Sequence, residues 1–193
     1  IPESGIATLT VTTTGRDVVT ATAAVVPAAR DTDDHLLHSG GASLSTGAYV
    51  APGATSLATA ATAVAGVRSM TISVDNNLVS PPGWGSAVSR PIPGAAPTVT
   101  GTLNVDFVTG GPFVSAFLNR TDLTLLATLA AVENGDELVQ IAIPSLRVTG
   151  EIPKAGAPTD MQQLSLPFTA MRAVTDPSDD LIVVVNRTYD TTI

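Results

Sequence analysis

Hydrophobic and polar residues alternate along two stretches of the chain, and each stretch holds two such segments separated by a loop rich in proline and glycine. The first stretch is residues 66–109, with apolar positions at Met70, Ile72, Val74, Val99, Leu103, Val105 and Phe107. The second stretch is residues 137–174. A period of two places successive side chains on opposite faces of a strand. The pattern therefore predicts two antiparallel hairpins, each covering a core with one face.

The other face of these strands consists of small polar residues. They are Ser69, Thr71, Ser73, Thr98, Thr100, Thr102, Asn104 and Asp106 in the first hairpin, and Gln163, Ser165 and Thr169 in the second. Neither row contains Lys or Arg. Because a polyanion is held by fixed cations, these rows suit a surface that an anionic molecule passes without being bound.

Between the two hairpins the chain predicts one short helix. Pro112 occupies the first helical position, where its missing N–H costs nothing. Phe113, Ala116 and Phe117 follow at the i, i+3 and i+4 spacing that lines one helix face. We expect about three turns at most, ending near residues 119–122.

Three strands follow from local patterns, and one of them is the first strand of the second hairpin. Residues 123–132 and 138–150 are largely apolar and flank Asn134-Gly135, a favoured hairpin turn. Pro144 interrupts the second of these strands and indicates a bulge or a sheet edge. Residues 181–185 are apolar on both faces, which predicts a central strand.

These elements predict a mainly β fold, an antiparallel β-sandwich or partial barrel with one short flanking helix. Residues 66–193 are the predicted β domain. Residues 31–65 lack a sustained period and are predicted to be a loop or linker with short strands at most. Residues 1–30 are predicted to be a strand segment, and the family resemblance given below implies that it is the end of a preceding segment of similar kind. Since the chain starts at Ile1 without a signal-like region, we expect it to be processed or part of a longer one.

The composition argues against several classes of function. Only 13% of residues are charged, the net charge is −8, and the few cations are scattered singly. This argues against tight binding of a phosphate backbone, which needs clustered cations. No apolar run reaches the roughly 18 residues of a membrane span, so we expect no membrane insertion. The chain has no cysteine, which excludes disulfides and thiolate metal sites.

No enzyme signature is present. The sequence lacks a phosphate-binding loop ending in Lys-Ser or Lys-Thr, a Gly-x-Ser-x-Gly elbow and a His-Glu-x-x-His pair. His35 and His38 lie three residues apart beside several aspartates. They allow a divalent-metal site on a helical turn, but a solvated acidic loop is the favoured interpretation, because the surrounding sequence offers nothing to fix the geometry of the ligands. We therefore predict no catalytic residue, no metal site and no cofactor.

The order of several segments resembles the tail tube proteins of tailed bacteriophages, in particular a longer form. These segments are VAGVRSMTISVDNNL, TVTGTLNVDF, PFVSAFLNR, IPSLRVTGEIPKAG, QQLSLPFTAM and VVVNRTYDTT. The resemblance covers residues 60–193 well and residues 1–26 more loosely. It implies that the chain is the C-terminal portion of a larger subunit.

The resemblance also implies an assembly. Subunits of this kind close into rings, six-fold or pseudo-six-fold, and the rings stack into a tube through which double-stranded DNA passes without specific binding. The implied partners are further copies of the chain and other tail proteins. The implied location is the virion tail, assembled in the host cytoplasm. The family has no catalytic residues. By position, the loops at 76–96 and 153–160 would join stacked rings, with candidate contacts Asn76, Asn77, Leu78, Trp84, Arg90 and Lys154.

Physical reasoning on the strands agrees with this assembly. Unpaired strand edges invite pairing with another chain, and a closed ring pairs each subunit with the next to form one wide barrel. The polar rows would then line its lumen. The alternative is a particle-surface or secreted β-sandwich that acts as a binding or decoration module. Such a module is monomeric, and its polar rows face solvent.

Overall fold

A computed structural model describes residues 9–12, 41–53, 56–79, 92–106, 111–130, 138–149, 163–172 and 180–187. The strands are β1 Ala42–Val50, β2 Thr59–Val64, β3 Val67–Asp75, β4 Leu78–Val79, β5 Ile92–Pro93, β6 Thr98–Asp106, β7 Leu123–Ala130, β8 Leu138–Val148, β9 Gln163–Ala170 and β10 Val183–Arg187. One helix, α1 Pro112–Asn119, lies between β6 and β7. The described chain is therefore mainly β with a single helix, which confirms the predicted class.

Eight strands form one sheet in the order β2-β1-β7-β8-β9-β6-β3, with β10 paired to β8 beside that path. Neighbouring strands lie about 4.8 Å apart, so a flat sheet would hold β2 and β3 about 29 Å from each other. However, only Ala65 and Gly66 join these two strands, a link that spans about 10 Å at most. The sheet must therefore curl until its two outer strands approach, as in a partial barrel.

β8 is the strand around which the sheet is organised. One of its sides pairs antiparallel with β7. Along the other side, residues 138–142 pair with β10 and residues 146–148 pair with β9. The register with β7 shifts between Leu123 and Leu125, where the hydroxyl of Thr124 donates to the carbonyl oxygen of Pro144 at 2.9 Å. Of the two alternatives predicted at Pro144, a bulge or a sheet edge, the structure has the bulge, and it reverses the faces that later β8 side chains occupy.

The main core lies on one face of the curled sheet. Its largest fully buried side chains are Phe168, Leu103, Leu125, Ile143, Leu146, Leu166 and Val99. Phe113 of α1 joins the same cluster, so the helix covers part of this face. The predicted core positions on β3 and β6 are buried or half-buried with one exception. Val74 is exposed because the core on β3 ends at Ile72; Phe107 lies outside the described residues.

A smaller cluster lies on the other face of β7 and β8. It contains Ala58, Leu126 and Ala142, and a buried amide side chain adjoins it. The Oε1 of Gln140 accepts a hydrogen bond from the N–H of Ala58 at 3.0 Å, and its Nε2 donates to the carbonyl oxygen of Ala58 at 3.1 Å. The same Nε2 donates to the hydroxyl of Thr128 at 3.1 Å. The side-chain amide of Gln140 therefore satisfies the backbone N–H and C=O of Ala58, just before β2, as a neighbouring strand would.

Replacing Gln140 with Leu is expected to lower the free energy of unfolding by about 2 kcal/mol, because the buried N–H and C=O of Ala58 then have no partner from this side chain. Chemical denaturation of the purified protein measures the change. Thr128→Val, which removes only the third hydrogen bond, is the matched control and should cost about half as much. Equal losses in the two variants would show that the bonds to Ala58 are not the stabilising part.

Two predictions about strands differ from the structure. The region at 31–65 contains the antiparallel β1–β2 hairpin, which the sequence does not predict because a bulge at Gly47 breaks the alternation. Gly47 has φ +100°, in the left-handed region that favours glycine. Residues 183–187 form β10, but its described neighbour is β8 alone and Val184 is 60% exposed. The prediction of a central strand was wrong there. The domain boundaries stay a prediction.

The helix agrees with its prediction in position and in both ends. Pro112 stands at the first helical position, and Arg120 adopts the left-handed conformation immediately after the helix. The N–H of Thr121 donates to the carbonyl oxygen of Ala116 at 3.0 Å, which satisfies a group left open by the helix end. The helix is short because Arg120 turns the chain out of it directly into the approach to β7.

A second compact unit comprises residues 9–34 and 74–98. In its described part, β4 and β5 form a two-stranded ribbon in which Leu78 pairs with Pro93 and Val79 with Ile92. Asn77 closes the base of this ribbon. Its Nδ2 donates to the carbonyl oxygen of Ala96 at 2.6 Å, and its own carbonyl accepts the N–H of Gly94 at 2.8 Å. The ribbon therefore starts from a hydrogen-bonded base.

Candidate functional site

The predicted polar rows of three adjacent strands share one side of the sheet, the side that faces away from the main core. We call this surface the polar face. Its residues are Ser69, Thr71 and Ser73 on β3, Thr100, Thr102, Asn104 and Asp106 on β6, and Ser165 and Thr169 on β9. All of them are exposed or half-buried. Each alternates along its strand with residues that pack in or against the core. The polar residues of each strand therefore all lie on the same side of the sheet.

The register between strands makes the polar face continuous. Thr100 lies opposite Thr169, and Asn104 lies opposite Ser165. On the other side of β6, the Nδ2 of Asn104 donates to the hydroxyl of Ser69 at 2.7 Å. Cross-strand neighbours of this kind lie about 5 Å apart, so hydroxyl and amide groups of adjacent strands adjoin one another over most of the surface. One exposed apolar ring, Pro167, lies opposite Thr102.

Two of the predicted residues are not part of the polar face as defined above. Thr98, the first residue of β6, is exposed but belongs to the second compact unit. Gln163 pairs in register with Asp106 at the start of β9, and its side chain lies outside the described part of the structure. The structure therefore brings most of the predicted rows together and leaves these two positions aside.

Sequence reasoning missed two arginines at this surface. Arg147 of β8 lies opposite Thr169 and is therefore on the polar face. Its Nε donates to the Oδ1 of Asp122 at 2.8 Å. At the β3 side of the face, the Nε of Arg68 donates to the Oδ1 of Asp106 at 2.6 Å. The rows themselves contain no Lys or Arg, but the guanidinium of Arg147 lies on the surface that they build, and the guanidinium of Arg68 contacts Asp106 of that surface.

A signal for Arg147 was present in the sequence. Leu146 and Val148 are both buried, and Arg147 between them must face the other way. Counting alternate residues from the start of β8 gives the wrong face for Arg147, because the bulge at Pro144 adds one residue to the strand. The pairing of β8 with β7 locates this bulge and so gives the correct face.

The candidate ring-stacking contacts are partly described. Asn76 and Leu78 are exposed, while the side chain of Asn77 is used in the base of the β4–β5 ribbon. Val79 and Ile92, which pair across this ribbon, are 48% and 44% exposed. Trp84, Arg90 and Lys154 lie outside the described residues. The ribbon thus presents apolar side chains that its own unit leaves accessible to water.

The remaining candidates concern metals and membranes. His35 and His38 lie outside the described residues. Within the described part of the chain, no three side chains of the metal-ligating types come together. The same part contains no helix with the length and apolar character needed to cross a membrane.

The curled antiparallel sheet and its continuous polar face define a mainly β protein with one extended hydrophilic sheet surface. A comparison with protein families then identifies the family: the model described as phage tail tube protein matches residues 1–170. Because this match covers most of the chain, the protein belongs to the phage tail tube protein family, as the resemblance indicated. Membership implies a structural role in the virion tail. No curated protein matches the chain.

Proposed function

We propose that copies of this chain close into rings, six-fold or pseudo-six-fold, that these rings stack into a tube, and that double-stranded DNA passes through it. The observation that carries the proposal is the continuous polar face in a member of a tail tube family. In the proposed assembly this face lines the bore. Other tail proteins would contact the ends of the tube.

The outer strands of the sheet support ring closure. β2 and β3 end the described strand order, so each has a side without a described partner strand. β2 consists only of Thr, Ala and Val, and it carries neither the charges nor the proline with which edge strands avoid pairing. Contact between different patches of successive copies produces a ring when the rotation closes.

The chemistry of the polar face supports passage of DNA. Hydroxyl and amide groups hydrogen-bond water readily and give phosphates no fixed positive charge. DNA moving along such a wall meets no deep electrostatic minimum, because strong phosphate binding comes mainly from cations that displace counterions. A wall of this kind needs no motor inside the tube.

Electron microscopy of the purified protein tests the assembly. Negative staining should show annuli or tubes with stain in a central hole. Isolated globular particles at every concentration tested would overturn the tube proposal and would support the binding or decoration module instead. Particles of this second kind would leave the polar face open to solvent.

The absence of cysteine from the chain allows a direct test of where the polar face lies. In assembled Thr102→Cys tubes, a small maleimide should react, whereas a maleimide coupled to beads wider than the bore should not. The same variant kept below the assembly concentration should react with both reagents, which controls for the intrinsic reactivity of the thiol. Rapid reaction of intact tubes with the beads would place Thr102 outside the bore.

We also propose that the β4–β5 ribbon contacts the next ring. Replacing both Val79 and Ile92 with Ser should shorten tubes severalfold and raise the proportion of single rings, because burying each apolar side chain contributes about 1–2 kcal/mol. Length distributions in electron micrographs measure this. Leu118→Ser, which alters an exposed apolar side chain on α1, is the control. Tubes of normal length from the double variant would show that the ribbon is not at the stacking contact.

A further inference from the structure

The polar face has a charge arrangement that its rows alone do not reveal. The four strands β3, β6, β8 and β9 contain just two cationic residues, Arg68 and Arg147. Arg147 lies on the polar face, and Arg68 adjoins that face through Asp106; each guanidinium donates through Nε to an aspartate. The two pairs lie at different strands, one at the β3 side of the face and the other at β8.

The pair at the β3 side is half-buried. The side chains of Arg68 and Asp106 are 26% and 28% exposed. The backbone of Asp106 is also held, because its N–H donates to the carbonyl oxygen of Gly66 at 2.8 Å. The carboxylate therefore has a fixed position at the end of the β6 row, directly against the guanidinium.

The pair at β8 is more accessible. The side chains of Arg147 and Asp122 are 46% and 42% exposed. Asp122 immediately precedes β7, which pairs with β8, so neighbouring segments supply the two charges. A guanidinium this exposed is within reach of a large ligand that slides along the sheet.

We propose that Asp106 and Asp122 mask the two arginines so that DNA phosphates in the bore do not bind them. This inference rests on the proposed function. An arginine binds phosphate through two parallel N–H donors, and a ring repeats each arginine in every subunit. Unmasked, these groups would form bands of cations along the path of the DNA, each of which releases counterions when it binds a phosphate. A bound carboxylate occupies the guanidinium and cancels its charge.

The exposed Arg147–Asp122 pair is expected to contribute little to stability. Exposed ion pairs between long side chains are weak because water and salt screen them and because ordering the side chains costs entropy. The alternative role, fastening neighbouring strands, predicts an effect of mutation on unfolding and none on DNA. The masking role predicts tighter DNA binding and little change in the free energy of unfolding. Measuring both quantities therefore separates the two roles.

The experiment compares assembled tubes of Asp106→Asn and Asp122→Asn with tubes of Asp180→Asn. Asp180 is exposed before β10, so its variant changes the net charge equally without freeing either arginine. The probe is a fluorescent 20-base-pair DNA duplex, and co-sedimentation with tubes is measured over a range of salt concentrations. At about 50 mM salt we expect Asp106→Asn and Asp122→Asn tubes to bind the duplex at least about tenfold more tightly than Asp180→Asn tubes. A plot of the logarithm of the binding constant against the logarithm of the salt concentration should be steeper by about one unit for each freed arginine that contacts a phosphate.

Removing the arginine as well should abolish the gain. The double variants Arg68→Gln/Asp106→Asn and Arg147→Gln/Asp122→Asn are expected to bind the duplex as weakly as the Asp180→Asn tubes. Double variants that stay as tight as the single ones would overturn the assignment, since the arginines would not be the phosphate ligands. The exposed Asp122 pair keeps the test valid if Asp106→Asn disturbs folding.

Different results overturn the proposed function and the masking role. If the unaltered protein forms no tubes, the proposed function fails. If tubes form but neither Asp106→Asn nor Asp122→Asn tubes bind DNA more tightly than Asp180→Asn tubes, the masking role is overturned and the tube proposal is unaffected.

Discussion

Particles whose tube subunits carry Thr100→Arg and Thr102→Arg are expected to assemble normally and to lose at least about tenfold in infectivity per particle. Both residues lie on β6 and point away from the core, and their neighbours Val99 and Leu103 carry the packing. An arginine at either position can therefore extend into solvent without displacing a core side chain. In the proposed bore it would bind phosphates of the passing DNA in every subunit, which turns a shallow energy surface into a series of binding sites.

The matched control replaces the same two residues with Gln, which adds length without charge. Particle number from electron microscopy, plaque titre and the rate of DNA release then separate an assembly defect from a delivery defect. Raising the salt concentration during release should relieve the arginine variant and leave the glutamine variant unchanged, because screening weakens phosphate contacts. Normal delivery by well-assembled arginine particles would place β6 away from the bore.

Replacing Gly101 with Ala should destabilise the fold by about 3 kcal/mol or more. Gly101 lies opposite Phe168 in the β6–β9 pairing. A Cβ added there would lie 2.7 Å from Cε1 of Phe168 and closer still to Cζ of that ring and to the carbonyl oxygen of Thr71. The ring is buried in the main core and the carbonyl belongs to β3. Neither can move without disturbing a strand, so glycine is what permits this close approach.

Thermal or chemical unfolding of the purified chain measures this loss. Thr100→Ala, one residue earlier on the exposed side of the same strand, is the control and should change the free energy of unfolding by about 0.5 kcal/mol or less. A loss below about 1 kcal/mol for Gly101→Ala would show that β3 and β9 relax around the added methyl group at little cost.

Local patterns predicted the elements whose signals lie within a few residues. Pro112 with its three spaced apolar neighbours predicted α1, and Pro144 predicted the bulge in β8. The alternation around Leu103 and Leu166 predicted strands with one buried face and one polar face. These predictions succeeded because backbone geometry and side-chain period act over distances that a short sequence window contains.

The failures have a common physical cause. The apolar residues at 181–185 predicted a central strand, but β10 pairs with half of β8 and leaves Val184 exposed. The β1–β2 hairpin escaped prediction because the bulge at Gly47 changes the phase of the alternation. In both cases the deciding feature lies in the pairing with another strand, which the local alternation does not show.

By itself, the sequence determined the mainly β class, the position of the helix and the small polar character of the rows, because each of these follows from the chemistry and spacing of neighbouring residues. Only the tertiary structure decided that rows from three strands meet on one surface, that Gly101 lies too close to Phe168 and β3 to carry a side chain, and that Arg68 and Arg147 each contact an aspartate. The partners in each contact of this second group are at least 25 residues apart in the chain. They come together only when the sheet curls around its core.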